Sequence, residues 1–475
     1  MHPIRTLLTT SALLLMAAAA ARAQGPPTYQ FYYGNLHAHT GYSDGNQDSV
    51  ASGRSTPLLS YQFAAASQHF DFLGISEHNH AQAGMRLVDY ARGRAQATQS
   101  TTSAFVALHG TEWGVISGGG HLLVYGVSKL YGWESGNYDE FVARNDYPSL
   151  MRKINKVPGA FALFAHPQSG DYGNLAGTAP FSPTADSALV GTPFRSGPAT
   201  SASINYANPS TGNYEGVYRA MLAKGYHVGV SLDHDNHLTT FGRTTHARLV
   251  ILAAALTEAD LLTALRARRF YASDDWNAQV SLTCNAQPMG SILRDPAAAA
   301  LTVSYADADN EPAASLALMR GVPGSTAQAV QVATATPGAA ALSYTDPAAT
   351  GTAYYYALIT QADGDRIITS PIWYTRSAAL ATQPAAVALQ LDVFPNPADV
   401  AQPVTLSYYL PTTTPVSAEI LDALGRAVLI LATGQPQSAG SHSISVPLIS
   451  LPPGLYTVRV TTGSTSTYRK LIVGQ

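Results

Sequence analysis

The stretch FYYGNLHAHTGYSDG, from Phe31 to Gly45, constrains this chain more than any other, because two histidines two residues apart close an apolar, aromatic run. On a β-strand, residues i and i+2 share a face, so His37 and His39 present their imidazoles side by side, about 7 Å apart. Such a pair is a two-ligand grip for a divalent cation. Of the 14 histidines, all but His2 and His442 fall between residues 37 and 246, several beside Asp or Glu.

That distribution separates the chain into parts. From 28 to 275, short apolar runs alternate with helical patterns. Strands are expected at Gln30–His37, Phe70–Ile75, Phe105–Gly110, His121–Val127, Phe161–Phe164, His227–Ser231 and Ala247–Leu252. Helices are expected at Leu58–Gln68, Tyr147–Lys156, Tyr214–Lys224 and Thr257–Arg268. Alternation of this kind predicts an α/β fold, a mostly parallel sheet with helices outside it. The Gly-, Ser-, Thr-, Pro- and Asn-rich segment 170–213 reads as a surface insertion. After Asp275 the texture becomes short β-type runs, giving a sandwich-like module at 276–376, a low-complexity linker at 377–388 and a second all-β segment at 389–475.

The other histidines and acids gather at the expected strand ends, the edge where parallel α/β folds collect ligands. ISEHNH offers Glu77, His78 and His80; GTEW offers Glu112; His121 follows a Gly-rich turn; His166 ends FALFAH; and SLDHDNH offers Asp233, His234, Asp235 and His237. Asp44, in SDG, taken alone reads as a turn residue. Six successive strand ends or loops with ligand-type side chains point to one site. Oxygen and imidazole donors without thiolate suit Zn²⁺, Mn²⁺ or Fe²⁺.

These motifs resemble the polymerase and histidinol phosphatase (PHP) domain, a superfamily of metal-dependent phosphoesterases built on a distorted seven-stranded β/α barrel. The resemblance implies a metal set of His37, His39, Asp44, His78, Glu112, His121, His166, Asp235 and His237, holding two or three divalent ions. Glu112 is the implied bridge, and Glu112, Asp235 and His237 are the residues expected to carry the reaction. Glu77 stands where that family has Asp, and Asp233 with His234 offers a competing register for the last motif. His80, His109, His227 and His246 fall outside the motifs and are expected to be structural, with His80 and His234 also in reach of a substrate. Arg269 is placed near the same edge. The expectation is hydrolysis of a small or oligomeric phosphoester by a metal-held hydroxide. An amide, ester or carbamate hydrolase on the same metals and a non-catalytic glycan-binding surface protein are the alternatives.

Two features concern export. Arg5, the apolar run from Leu7 to Ala20 and Ala21-Arg22-Ala23 form a signal peptide over 1–23. VFPNP, DALGRAV, GLYTVRV and the final Lys470-Leu-Ile-Val resemble the sorting domain of Bacteroidetes type IX secretion substrates, which implies the type IX machinery as partner and a secreted or surface-attached product. A net charge of -3 and a pI of about 6.5 make nucleic acid no obligatory partner, no segment is long enough for a transmembrane anchor, and the single Cys284 leaves no intrachain disulfide.

Overall fold

The computed structural model describes residues 28–115, 118–325, 327–348, 350–377, 389, 391–463 and 465–474. The expected signal peptide lies outside the described residues, as does the linker but for Ser377. The chain divides into two compact units, Met1–Ala378 and Ala379–Gln475.

Nine strands of the first unit surround the histidine-rich segments: β1 Gln30–Asn35, β2 Phe72–His78, β3 Val106–Val115, β4 Gly120–Tyr125, β5 Phe161–Ala165, β6 Leu189–Ser196, β7 Gly229–Leu232, β8 Arg248–Ala253 and β9 Phe270–Ser273. They hydrogen-bond in the order β7–β6–β5–β4–β3–β2–β1–β8–β9. The sheet then runs on through Arg366–Thr369, Gly351–Gln361, Ala313–Gly321 and Val330–Thr334, and has sixteen strands in all.

This overturns the expected α/β class and its seven-stranded β/α barrel. The protein is mostly β, with eight α-helices against thirty strands among the described residues, and its large sheet is mixed. The pairs β1/β2, β2/β3, β5/β6 and β6/β7 are parallel, whereas β3/β4, β4/β5, β1/β8 and β8/β9 are antiparallel. The cause at β3/β4 is the connection, residues 116–119, which is too short for the helical crossover a parallel pair requires. Beyond β9 the sheet is extended by strands from the expected middle module, the first of them Arg366–Thr369. The segment 170–213, expected to be a surface insertion, supplies β6, a buried strand between β5 and β7.

Helices cover part of this sheet. α1 Pro57–Ala64 starts where the Thr56 side chain accepts from the Leu59 N–H and Pro57 occupies the first turn. α2 Leu87–Ser100, which the sequence reading passes over, buries only Asp89, Tyr90, Gly93 and Ala97. α3 Tyr147–Ile154, α4 Glu215–Lys224 and α5 Glu258–Arg266 fall where periodicity predicts helices. A second core lies under the strands after Asp275. There Val280, Leu282, Val303 and Tyr305 of a four-stranded sheet face Leu316, Leu318, Ala357 and Ile359 of the large one, together with Tyr33, Val250, Leu252 and Tyr271. The 276–376 strands and the first nine therefore bury one apolar layer in common.

Arg248 of β8 is fully buried and meets no carboxylate among the described residues; its guanidinium donates to the carbonyls of Gln68, His69, Gly242, Thr245 and Ala247. It thereby holds the chain that follows β7 against the turn that precedes β2.

The second unit has a three-stranded sheet, Leu391–Phe394, Val404–Leu410 and Gly440–Val446, and a five-stranded sheet whose longest members are Thr414–Leu421, Ala427–Gln437, Gly454–Thr462 and Thr465–Gly474. Leu406, Val416, Ile420, Val446, Val458 and Leu471 fill the space between them.

Candidate metal centre

All nine residues of the expected ligand set come together at one edge of the sheet. His37 and His39 follow β1, His78 ends β2, His166 follows β5, and Asp235 and His237 follow β7. β4 is antiparallel, so its beginning lies at this edge, and His121 sits opposite Gly114 of β3 and Ala165 of β5. Glu112 reaches the edge from within β3, which continues to Val115. Asp235 and His166 both adopt positive φ, 52° and 30°, so the chain turns sharply where β7 and β5 give up their ligands. Gly45 is required by a close approach: a Cβ there would lie 2.1 Å from the His39 carbonyl carbon.

Glu112 is the hub. Its Oε1 lies 3.1 Å from His37 Nε2, 2.8 Å from His121 Nδ1 and 2.9 Å from His166 Nε2. Its Oε2 lies 3.3 Å from His39 Nε2 and 3.2 Å from His78 Nδ1. Asp235 Oδ1 lies 3.1 Å from His37 Nε2 and 3.3 Å from His39 Nε2. Asp44 carries the outer side, with Oδ1 3.6 Å from His237 Nε2 and Oδ2 3.5 Å from His78 Nε2.

Whether divalent cations fit can be judged from the atoms left over. His78 Nδ1, His121 Nδ1, Asp44 Oδ1 and Asp235 Oδ1 are buried and, although they lie close to one another's charges, make no well-aligned hydrogen bond. His37 Nε2 and His39 Nε2 face one another at 3.3 Å, which two nitrogens tolerate when a proton or a cation lies between them and the carboxylates. Three sets of donor atoms lie within 4.8 Å of one another: His39, Asp44, His78 and His237; His37, His39, Glu112 and Asp235; and His78, Glu112 and His121. The chemistry of the donors, imidazole and carboxylate only, suits zinc, manganese or iron.

The electrostatics agree. Burial alone would raise the Glu112 carboxyl, but His121, His37 and His78 hold it well below the usual carboxylate range. Burial lowers His166, yet its hydrogen bond to Glu112 and the charge of that carboxylate together outweigh this and lift it to about 9. These are strong mutual attractions among groups that a cation would take over.

Around the cluster stand residues that orient it. Asp233 Oδ1 lies 3.4 Å from His37 Nδ1 and accepts a short hydrogen bond from the Ser196 hydroxyl. A carboxylate on the far nitrogen of a ligating imidazole fixes its tautomer and raises its basicity. His237 Nδ1 is 2.9 Å from the carbonyl of Asp235, which leaves Nε2 toward Asp44. Glu77 is not in the cluster. It lies fully buried beneath the 37–44 turn, accepting from the Thr40 N–H at 3.1 Å and from the Thr40 and Ser43 hydroxyls. Of the competing register, Asp233 thus serves His37, while His234 lies 2.8 Å from the Ala247 carbonyl, outside the three donor sets.

The remaining candidates separate cleanly. His80 stacks on Trp133 with ring centroids 5.6 Å apart, and burial followed by the neighbouring His78 lowers it to about 4. His109 is buried against Gly93 and Tyr90, where desolvation lowers it to about 3. His227 is held 2.9 Å from Asp186, and His246 packs at a tilt against Trp276, ring centroids 4.0 Å apart. Arg269 lies over the Tyr29 ring at 4.7 Å rather than beside the cluster.

Two openings lead to the cluster. One, of about 520 Å³, is lined by Asp44, His78, His80, Gln82, His121 and Arg144, among others. The other, of about 290 Å³, is bounded by His166, Gln168, Ser196 and Tyr214 with Asp235 at its base. Arg144 and Ser196 escape the sequence reading, because neither belongs to a run with ligand spacing.

Comparison with known proteins bears on the second unit. No curated protein matches the chain. Solved structures give only faint likenesses. The fibronectin(III)-like modules of Clostridium thermocellum CbhA match at 13% identity and a TM-score of 0.15, over 41% of this chain and 94% of theirs. A tetra-tandem repeat from the extending region of a large adhesion protein matches at 19% and 0.16, over 42% of this chain and 54% of that one. Residues 392–474 match the family model of the secretion system C-terminal sorting domain. That domain is the address of type IX secretion, and among the described residues no helix is long and apolar enough to cross a membrane. The chain therefore carries a type IX sorting domain and is exported, to be secreted or attached at the cell surface.

Proposed function

We propose that the first unit is a metal-dependent hydrolase, and a phosphoesterase before other hydrolases, acting outside the cell. The observation that carries this reading is Glu112: one buried carboxylate whose two oxygens are shared among five imidazoles, with Asp235 and Asp44 on the flanks. Resemblance of the ligand motifs to those of the polymerase and histidinol phosphatase domain points the same way, independently of the fold. His37, His39, Asp44, His78, Glu112, His121, His166, Asp235 and His237 would hold two or three zinc, manganese or iron ions. Bound there, such ions supply Lewis acidity and lower the pKa of water toward ~7.

The chain's own residues prepare that chemistry. Asp233 and the Asp235 carbonyl hold His37 and His237 in single tautomers, so the nitrogens facing the cluster are committed as donors. Glu77 fixes the 37–44 turn from below. Arg144, lining the larger opening, supplies a positive charge for an anionic group of the substrate, while His80, backed by Trp133, gives the same opening an aromatic wall.

The test is metal analysis of the purified mature protein, followed by turnover of phosphomonoester, phosphodiester, carboxyl-ester and carbamate substrates at equal metal loading. Two or three ions per chain and metal-dependent phosphoester cleavage are expected. Full metal loading with cleavage of carboxyl esters or carbamates alone would replace the phosphoesterase reading.

A further inference from the structure

A third cavity, of about 290 Å³, lies at the same edge of the sheet, where β6 and β9 end and β8 begins. It is lined by Arg195, Asn208, Ser210, Thr211, Asp274 and Asp365, among others. Ser210 and Thr211 also line the opening that has Asp235 at its base. Arg195 and Ser196 are successive residues of β6, and each lines one of the two, with Gly212–Asn213 paired antiparallel to them. The cavity therefore adjoins the histidine cluster's opening across the short segment Ser210–Thr211, of which Ser210 is exposed.

The one cation of this lining is already paired. Arg195 lies over the Phe194 ring and donates through its guanidinium to both oxygens of Asp274, at 2.5 and 2.7 Å. The Asp365 carboxylate, by contrast, has neither an ion pair nor a hydrogen bond among the described residues. Burial, then the charges of Asp363 and Asp274, push it up to about 7, so its surroundings resist further negative charge. Asn208 Oδ1 accepts from the Thr245 hydroxyl at 2.8 Å and the His246 N–H at 2.7 Å, which leaves its NH₂ group to donate. An anion placed in this cavity meets Asp365 and Asp274. A cation gains Asp365 but is set against the guanidinium of Arg195. A neutral group with several hydroxyls finds partners on every side: the Asp365 carboxylate accepts, the Asn208 amide donates, and the Ser210 and Thr211 hydroxyls do either.

We infer that this cavity is a subsite for a neutral, hydroxyl-rich group, a sugar or polyol, joined through an ester to the phosphoryl group at the histidine cluster. The inference rests on the phosphoesterase reading and narrows it: the substrate is a phosphate ester of a sugar or polyol. Asp365 and Asn208 recognise that alcohol, and Ser210 and Thr211 form the rim it crosses between the cavity and the cluster.

The experiment compares, on the mature metal-loaded protein, phosphate esters that differ in one alcohol: ethanol, the 6-hydroxyl of glucose, or choline, each as monoester and as 4-nitrophenyl diester. kcat/KM for the glucose esters should exceed that for the ethyl esters by at least ~10-fold, with the choline esters no better than ethyl. Asp365→Ala removes the unpaired acceptor and should bring the glucose-to-ethyl ratio to about one, chiefly through KM, with metal content unchanged. Equal rates for glucose and ethyl esters, a preference for choline, or a ratio that Asp365→Ala leaves as it was would each overturn the subsite. If Asp365→Ala fails to fold, Ser210→Trp at the exposed rim decides by the same ratio. Binding separates failure of this inference from failure of the reading beneath it: saturation-transfer NMR with methyl glucoside at ~20 mM should detect the sugar on the wild type and lose it in Asp365→Ala. Cleavage of carboxyl esters alone, with that binding intact, would replace the phosphoesterase reading and keep the subsite. Absence of binding would remove the subsite whatever the enzyme cleaves.

Discussion

Replacing Glu112 by Gln tests the metal centre most directly, since it changes charge and leaves volume alone. The two oxygens of Glu112 face different partners, His37, His121 and His166 on one side and His39 and His78 on the other. An amide turned either way sets an NH₂ group against at least two ligand nitrogens. A pair of unit charges ~3 Å apart interacts by roughly 5 kcal/mol at an effective dielectric of about 20. Desolvation returns part of this, and breaking a buried pair costs about 3 to 5 kcal/mol in practice. At 1.4 kcal/mol per decade, even the lower figure weakens metal binding by ~10².

The assay has two independent readouts. Metal content after dialysis against a buffered competitor should fall by at least one ion per chain, and phosphoester turnover should drop by at least ~10². Circular dichroism should show the same fold, because Glu112 packs against imidazoles rather than against the apolar core. Full stoichiometry at unchanged affinity, with near-wild-type turnover, would refute the hub assignment and the mechanism built on it.

Asp233→Asn should weaken metal binding by about 10- to 100-fold while leaving the fold intact, as metal titration would show, since it strips the anionic partner from His37 Nδ1. Arg248→Met should destabilise the first unit by ~3 kcal/mol or more in urea unfolding, because five carbonyls lose their donor. Asp186 is raised by burial but brought below its ordinary value by hydrogen bonds from His227, so its stabilisation is present above the unfolded carboxylate pKa of ~3.9 and lost as pH falls through the folded value. The stability gap between wild type and Asp186→Asn should accordingly be flat above pH ~5 and close in acid, as parallel denaturant titrations at each pH would show. A chain ended at Asp275 should aggregate on gel filtration, because it exposes Tyr33, Val250, Leu252 and Tyr271, whereas one ended at Ser377 should stay monodisperse.

That last expectation reverses what composition suggests. The change of texture at Asp275 is real, and the runs after it are strands. Composition cannot show, however, that Tyr271 of β9 pairs with Thr369, or that Leu252 shares a core with Leu282. Such pairings are long-range and leave no local trace. Local periodicity located β2, β4, β5 and the helices α3, α4 and α5 to within a few residues, yet it is blind to strand direction. β3 and β4 read as ordinary α/β strands until the four-residue connection between them is weighed, and that connection alone excludes a parallel crossover. β6 was hidden for a different reason: LVGTPFRS carries Gly, Thr, Pro, Arg and Ser, the composition of a loop, and only its burial between two neighbours makes it a strand.

The clustering of these histidines and carboxylates was legible where the topology was not, and the reason is physical. A ligand must be a particular residue type, whereas a sheet neighbour need only be apolar and of suitable shape. His37, His39, His78, Glu112, His121, His166, Asp235 and His237 are all costly to bury, so their recurrence at strand ends is a statement about what they meet there. Antiparallel β4 did not spoil this inference, because His121 begins its strand and so reaches the edge that His78 and His166 reach from parallel ones. What escaped is the layer that carries no such requirement. Ser196 on Asp233, and Arg144 at the opening, are residue types that a surface uses everywhere, and only their distance to the cluster gives them meaning. A site is thus readable from sequence to the depth at which residue identity is dictated by chemistry, and beyond that depth it is readable only from geometry.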